Sequence, residues 1–238
     1  MKQILLFLAI ILLLGFVPGF SQKAIMDENA QVRQVEKFNA IVVSSAFDVI
    51  VTQSNETVVV VSAADVSQRD LILTEVNNGT LVISLKKSNM DWRGNMKLRA
   101  YISVPDVNKI ELNGASDLKL EGTFKTEDLE IRLSGASDMT GNVEATNLRL
   151  SSSGSSDFKI GGKAENLRIN LSGSSDVKAF DMVSDYCDIS GSGSSDVEIT
   201  VNKELKVNIS GASNVSYKGL AIVRDMKTSG SSSLQKRD

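Results

Sequence analysis

One short motif returns seven times in the second half of this chain, and its spacing limits the folds that the chain can adopt. Neighbouring copies are 18 to 21 residues apart. A steady period of about 19 residues is typical of a solenoid, in which each repeat forms one coil. The copies read GASD, GASD, GSSD, GSSD, GSSD, GASN and GSSS, and they begin at Gly114, Gly135, Gly154, Gly173, Gly193, Gly211 and Gly230.

Apolar and polar residues alternate in the segment that leads into each glycine. The position four before glycine is apolar in every copy, as Ile110, Ile131, Leu150, Ile169, Ile189, Val207 and Met226. The position three before it is polar, from Glu111 to Lys227. Such alternation indicates a β-strand with one buried face, which a single coil cannot cover but stacked coils can. We therefore predict an all-β fold, a right-handed parallel β-helix whose hand follows the rule for parallel crossovers.

Each residue of the motif has an expected structural task. Glycine allows the chain to bend through positive φ, and the serine that follows two residues later is expected on the core side or at the corner, where its hydroxyl can bond to the bent backbone. The fourth residue should point outward. This local chemistry favours turn architecture as the reason for the repeat.

The fourth motif position is also the candidate site that the sequence offers. At a rung spacing of about 4.8 Å its carboxylates would form a surface ladder that could bind Ca²⁺. Lysines two residues after several of them would neutralise the charge, so we expect the ladder to be structural, with no metal and no cofactor. The ladder consists of Asp117, Asp138, Asp157, Asp176 and Asp196.

Composition argues against several functions. The chain has no histidine, so the commonest metal ligand and the commonest general base are both missing. Its single cysteine, Cys187, lies in the apolar column of Leu129, Leu148, Leu167 and Leu205, which predicts a buried core residue rather than a nucleophile. The net charge of −3 comes without a basic cluster, so no nucleic-acid partner is expected. We predict that the protein is not an enzyme.

The N-terminus predicts export. Lys2, an apolar run over residues 4–17, and the small residue Ser21 follow the pattern of a signal peptide over residues 1–21. The run is short for a spanning helix, so we expect no membrane span in the mature chain. A linker over 22–36, an irregular β region over 37–105 that caps the solenoid, and the repeats over 106–238 are expected to follow, with 37–238 as one domain.

The stretch ISVPDVNKIELNGASDLKLEG over 102–122, followed by recurring SGSSD, carries a family resemblance. It resembles the head GIN domain family of auto-transporter adhesins, exported bacterial proteins common among Bacteroidetes. The resemblance implies a β-solenoid and a place in the periplasm or at the surface of a Gram-negative bacterium. It implies no catalytic residues, and its partner class is an unknown surface protein or a glycan.

Three function classes stay open. The first is a non-enzymatic adhesin-like binding protein of the cell envelope that uses the repetitive solenoid surface. The second is a polysaccharide-acting β-helix enzyme, and the third is an envelope scaffold that forms homo-oligomers through a face or an end. Carboxylates repeated in series, rather than grouped in one groove, favour the first class over the second.

Overall fold

The computed structural model describes residues 27–86 and 96–238, so the predicted signal peptide over 1–21 lies outside the described part. Strands hold 71% of the described residues, and the one helix among them, α1, is short. The elements before the repeat are β1 Gln31–Arg33, β2 Ala40–Ser45, β3 Asp48–Gln53, β4 Val58–Ser62, α1 Val66–Arg69, β5 Ile72–Asn77, β6 Thr80–Leu85 and β7 Arg99–Val104.

Five long extended segments, each spanning most of one repeat, form the middle of the molecule. Shorter strands stand on either side of them. The elements of the repeat are β8 Lys109–Gly114, β9 Asp117–Gly135, β10 Asp138–Gly154, β11 Phe158–Gly173, β12 Val177–Gly193, β13 Asp196–Gly211, β14 Asn214–Lys218, β15 Ile222–Thr228 and β16 Ser233–Lys236.

Successive repeats pair in parallel and in register. Gly154 of β10 lies beside Gly135 of β9 on one side and beside Gly173 of β11 on the other. The same alignment continues through β12 and β13 to Gly211. The molecule is therefore a β-solenoid of about seven turns, with equivalent motif residues stacked one rung apart, and the predicted parallel β-helix is confirmed.

The predicted apolar columns form the core. Side chains four residues before each motif glycine are fully buried from Ile110 to Val207, and those at even positions around them join the same continuous cluster. Large side chains fill it at intervals, among them Phe124 and Phe158. Because each rung covers the apolar face of the next, burial accumulates along the rod and no single rung has to be stable alone.

The solenoid begins earlier than the motif search found. β2 pairs in parallel with β8, so that Ser45 lies beside Gly114, and β3 pairs in parallel with β9, so that Asp48 lies beside Asp117. Residues 40–53 thus form an additional first rung inside the region that was expected only to cap the repeats. The copy SAFD at 45–48 departs from the motif at its first and third positions.

Two parallel strands and then three antiparallel strands cover the N-terminal end of the rod. Next to the rung of residues 40–53, on the side away from the repeats, β6 stacks on β2 and β7 on β3, both in parallel. The hairpin partner β5 then pairs antiparallel with β6, and β4 pairs antiparallel with β7. β1, which falls within the stretch expected to be a linker, adds a further antiparallel strand to β4. At the other end, β15 and β16 stack in parallel on β13 and β14.

Candidate functional site

The serine of the motif holds neighbouring bends together. Its side chain is almost completely buried in the first six copies, from Ser116 to Ser213. In each step its Oγ accepts the backbone N–H of the equivalent residue in the preceding rung. For example, the N–H of Ser137 donates to Ser156 Oγ over 3.0 Å, and the N–H of Ser156 donates to Ser175 Oγ over 3.3 Å. A buried N–H without an acceptor is costly, so the serine supplies a necessary partner.

The glycine of the motif is required for two reasons. Its φ is positive in all seven copies, for example +101° at Gly154, a region that side-chain-bearing residues rarely adopt. In addition, a Cβ on Gly154 would overlap the carbonyl oxygen of Gly135 in the preceding rung. That same oxygen accepts the N–H of Ser155 over 2.8 Å, so the bends are packed backbone against backbone.

The five aspartates of the predicted ladder stand in one column along the rod, with Asp117, Asp138 and Asp196 exposed and Asp157 and Asp176 half-buried. The carboxylates point along the column rather than toward a common centre. The backbone N–H groups of Asp157, Asp176 and Asp196 donate to Oδ1 of Asp138, Asp157 and Asp176, over 3.1, 2.9 and 3.1 Å. Asn214 continues the column by donating its Nδ2 to Asp196 Oδ1 over 2.9 Å. Three of the five predicted carboxylates therefore each bind the backbone of the next rung.

Asp117 stands in a different environment from the later members of this column. Partial burial raises the pKa of its carboxyl, and the like charges of Asp138 and Asp48 raise it further. Asp48, in the first rung, was not among the predicted members. The motif does not reveal Asp48, because Ser45 and Phe47 replace the glycine and the serine, although Ala46 and Asp48 stand at the correct spacing.

In the described part of the chain, the acidic residues form no metal-sized cluster and the cysteine is buried. Over residues 27–86 and 96–238, no three His, Cys, Asp or Glu side chains are grouped closely enough to hold a metal ion. Cys187 is 3% exposed, and burial raises the pKa of its thiol far above the ordinary value. The prediction that Cys187 is a core residue is confirmed.

A broad polar face runs along the rod on the strand segments that precede each glycine. We call it the serine–asparagine face, and it bounds a shallow depression of about 580 Å³. Its two columns stand one and three residues before the motif glycines. The first column consists of Asn113, Ser134, Ser153, Ser172, Ser192 and Ser210. The second begins with the charged residues Glu111 and Arg132 and continues as Ser151, Asn170, Ser190 and Asn208.

A charged column borders this face on the same sheet. Its members alternate in sign at several steps, and they are Lys109, Glu130, Arg149, Arg168, Asp188 and Lys206. Arg149 lies 3.8 Å from Glu130, and Arg168 lies 3.8 Å from Asp188. Beside them the amide of Asn147 donates to Asp128 over 2.7 Å, and that of Asn166 donates to Asn147 over 3.0 Å. Alternation in the sequence predicts polar residues at these positions but does not single out the face.

Fold and surface together define the class of this protein. It is a parallel β-solenoid whose motif residues connect rungs and whose flank presents a long polar face. Among the described residues, no helix has the length and apolar character needed to cross a membrane.

The chain belongs to the family described as "Putative auto-transporter adhesin, head GIN domain", whose pattern matches residues 37–221. None of the curated proteins compared with it matches.

Solved structures with the same fold come from Bacteroidetes. A putative adhesin from Bacteroides fragilis is 20% identical, has a TM-score of 0.77, and the match covers 87% of this chain and 96% of that one. A putative adhesin from Parabacteroides merdae is 17% identical with a TM-score of 0.71, covering 88% and 95%. A putative lipid binding protein from Parabacteroides distasonis is 20% identical with a TM-score of 0.69, covering 89% and 98%. At these identities the likeness concerns the fold.

Proposed function

We propose that this protein is an exported, non-enzymatic, adhesin-like binding protein of the bacterial cell envelope, and that it binds its partner along the serine–asparagine face. Family membership supports an adhesin-like role. The observation that carries the proposal is the face itself, where ten uncharged hydroxyl and amide side chains stand in two columns across six rungs.

The chemistry of this face suits an extended, hydroxyl-rich polymer. Serine and asparagine side chains both donate and accept hydrogen bonds, so they can match hydroxyl groups in either role. The columns repeat at about 4.8 Å, which presents the same groups many times along the rod. A surface glycan is the partner class that this periodic, uncharged array fits best, and the bordering charged column would orient it.

The aspartate column is assigned to architecture in this proposal. Hydrolysis of a glycosidic bond needs two carboxyl groups that flank the bond, whereas these carboxylates stand in single file. Asp138, Asp157 and Asp176 each direct one oxygen to a backbone N–H of the next rung. We infer that they stabilise the bends and take no part in a chemical step.

A glycan array tests the proposal on the chain that begins at Gln22, the form expected after removal of the signal peptide. The face variant Ser153→Glu/Ser172→Glu places two like charges on adjacent rungs of the proposed surface. The control variant Lys159→Glu/Lys178→Glu places the same charges on adjacent rungs beyond the bend, where the side chains are also exposed. Circular dichroism and thermal unfolding establish that both variants fold.

We expect the unmodified chain to bind a defined subset of glycans, the face variant to lose that binding, and the control to retain it. Binding that survives in the face variant would refute the assignment of the face. A complete lack of glycan binding by the unmodified chain would refute the glycan as its partner class.

A further inference from the structure

The last described rung of the solenoid exposes a group of large apolar side chains. Leu220, Ile222 and Met226 are 82%, 59% and 50% exposed. By contrast, no large apolar side chain between Asp117 and Gly173 is exposed to this degree. A soluble protein rarely leaves such a group of apolar residues uncovered without an interaction that covers it.

Two features of the stack expose these residues. Met226 continues the buried column of Val207, but no described strand stacks beyond it. Leu220 and Ile222 stand on either side of Ala221, which packs against the core, so both project outward from the rim. Ile222 also continues an outward column that contains Tyr186, itself 41% exposed two rungs earlier.

The same rung is basic although the protein as a whole is acidic. Residues 219–238 contain four Lys or Arg and two Asp, a net charge of +2, whereas the whole chain carries −3. The cations lie at the surface, with the side chains of Arg224 and Lys227 60% and 71% exposed, although Arg224 lies 3.2 Å from a Glu204 carboxylate oxygen and Lys227 lies 3.5 Å from one of Asp225. Lys236 lies over the ring of Tyr217 with its Nζ 6.0 Å from the centroid, and Arg237 donates to Ser216 Oγ over 3.4 Å.

We propose that the last rung docks on the surface of an anionic phospholipid bilayer. Leu220 and Ile222 enter the boundary between headgroups and acyl chains, and the basic side chains around them pair with lipid phosphates. Apolar side chains surrounded by Lys and Arg are the combination that binds anionic interfaces, because burial and charge attraction act together. An end-to-end contact with a second copy is disfavoured, since it would bring two surfaces of +2 together.

This proposal concerns the end of the rod and is independent of the flank assigned above. The family pattern ends at residue 221, so β15 and β16 lie beyond the matched part of the chain. Docking by this end would hold the rod on a membrane and leave the serine–asparagine face open along its length.

Vesicle co-sedimentation tests the proposal with the chain that begins at Gln22. The two probes are vesicles of phosphatidylcholine alone and vesicles of an equimolar mixture of phosphatidylcholine and phosphatidylglycerol. The apolar variant is Leu220→Ser/Ile222→Ser, and its matched control is Val32→Ser/Val66→Ser, which removes exposed apolar side chains at the opposite end of the molecule. The charge variant is Lys236→Glu/Arg237→Glu, matched by Lys159→Glu/Lys178→Glu in the middle of the rod.

We expect the unmodified chain to sediment with the anionic vesicles, and the bound fraction to fall as salt is added. The apolar variant should bind at least about tenfold more weakly, the effect of removing two exposed aliphatic side chains from a buried contact. The charge variant should lose the preference for anionic lipid, and both controls should bind as the unmodified chain does.

Three results would overturn the proposal. They are no sedimentation with anionic vesicles, equal losses in the variants and their controls, or a dimer in sedimentation velocity that the Leu220→Ser/Ile222→Ser change dissociates. The last result would assign the exposed end to a second copy of the chain.

Discussion

The first rung and the interior rungs of this solenoid form the same bend with different residues. An interior bend such as Gly154-Ser155-Ser156-Asp157 has glycine first and serine third, whereas the first-rung bend, residues 45–48, has Ser45 and Phe47 in those places. Ser45 has a φ of +110°, so the backbone shape is retained even where glycine is not.

The difference shows that the preceding rung determines which residues a bend requires. An interior glycine is needed because a Cβ would strike the carbonyl oxygen of the preceding bend. An interior serine is needed because the preceding bend has a buried N–H that requires an acceptor. No bend of this type precedes residues 45–48 among the described residues, so a serine and a buried phenylalanine are tolerated. The N–H of Phe47 still donates to Ser116 Oγ over 3.1 Å, as in an interior rung.

The largest predicted effect distinguishes the two reasons for glycine, which are its positive φ and its close contact with the preceding bend. Gly154→Ala combines positive φ with a clash against the Gly135 carbonyl, whereas Gly122→Ala has positive φ, at +81°, and no atom within 4 Å of the added Cβ. We expect Gly154→Ala to lower the free energy of unfolding by at least about 3 kcal/mol and Gly122→Ala by about 1 kcal/mol. Urea denaturation measures both, and equal losses would contradict the stacking of bends.

Removing the serine hydroxyl should have the next largest effect. Ser156→Ala leaves the N–H of Ser137 buried without its acceptor, at an expected cost of about 1–3 kcal/mol in the free energy of unfolding. The neighbouring change Ser155→Ala, at an exposed position, should alter that free energy by less than about 0.5 kcal/mol. Thermal and urea unfolding provide the comparison. If Ser156→Ala were as mild as its neighbour, the serine would not be the acceptor that the N–H needs.

The aspartate column should respond weakly to loss of charge. In Asp157→Asn/Asp176→Asn the amide oxygens can still accept the backbone N–H groups of Asp176 and Asp196, so stability should change by less than about 1 kcal/mol. Calcium titrated into the unmodified chain should leave the Tm unchanged. A calcium-dependent rise of several degrees in Tm that the double change abolishes would identify the column as a cation site, because a ligand bound only to the native state stabilises it.

The smallest effect concerns the contact between the first rung and the repeats. The raised pKa of Asp117 means that its ionised form is disfavoured in the folded state beside Asp48 and Asp138. Asp117→Asn should therefore increase stability at neutral pH, by about 0.5 kcal/mol or less for a largely exposed group. The gain should vanish as pH falls below the ordinary value of 3.8, where the carboxyl is protonated in both states. Unfolding at pH 7 and pH 3 checks the sign; a gain that persists at pH 3 would point to a cause other than charge.

The sequence predicted the repeats well because their requirements are local and periodic. Glycine, serine and the alternating columns recur at each rung, so the strand stacking and the burial of Cys187 followed from alignment alone. The first rung escaped because two of the four motif residues differ at 45–48, although Ile41 and Val43 stand in the apolar columns. The antiparallel pairing of β1 with β4 and of β4 with β7 was beyond reach, since alternation indicates a strand but does not identify its partner.

The polar surfaces were only partly predictable for a related reason. A parallel stack places residues about 19 positions apart side by side, so the serine–asparagine face could have been assembled from the aligned columns. The exposed apolar rim at Leu220 and Ile222 could not, because apolar residues normally stand at covered positions, whereas these two stand at outward positions on either side of Ala221.

Native-state hydrogen exchange at the bends tests the serine ladder itself. The buried N–H groups of Ser137, Ser156 and Ser175 are bonded to serine hydroxyls of the next rung, at 3.0, 3.3 and 3.3 Å. These three amides should exchange only with global unfolding, at rates matching those of core strands, whereas the amide of the half-buried Ser232 in the last rung should exchange much faster. Fast exchange at Ser137, Ser156 and Ser175 in the folded protein would contradict the serine ladder and the account built on it.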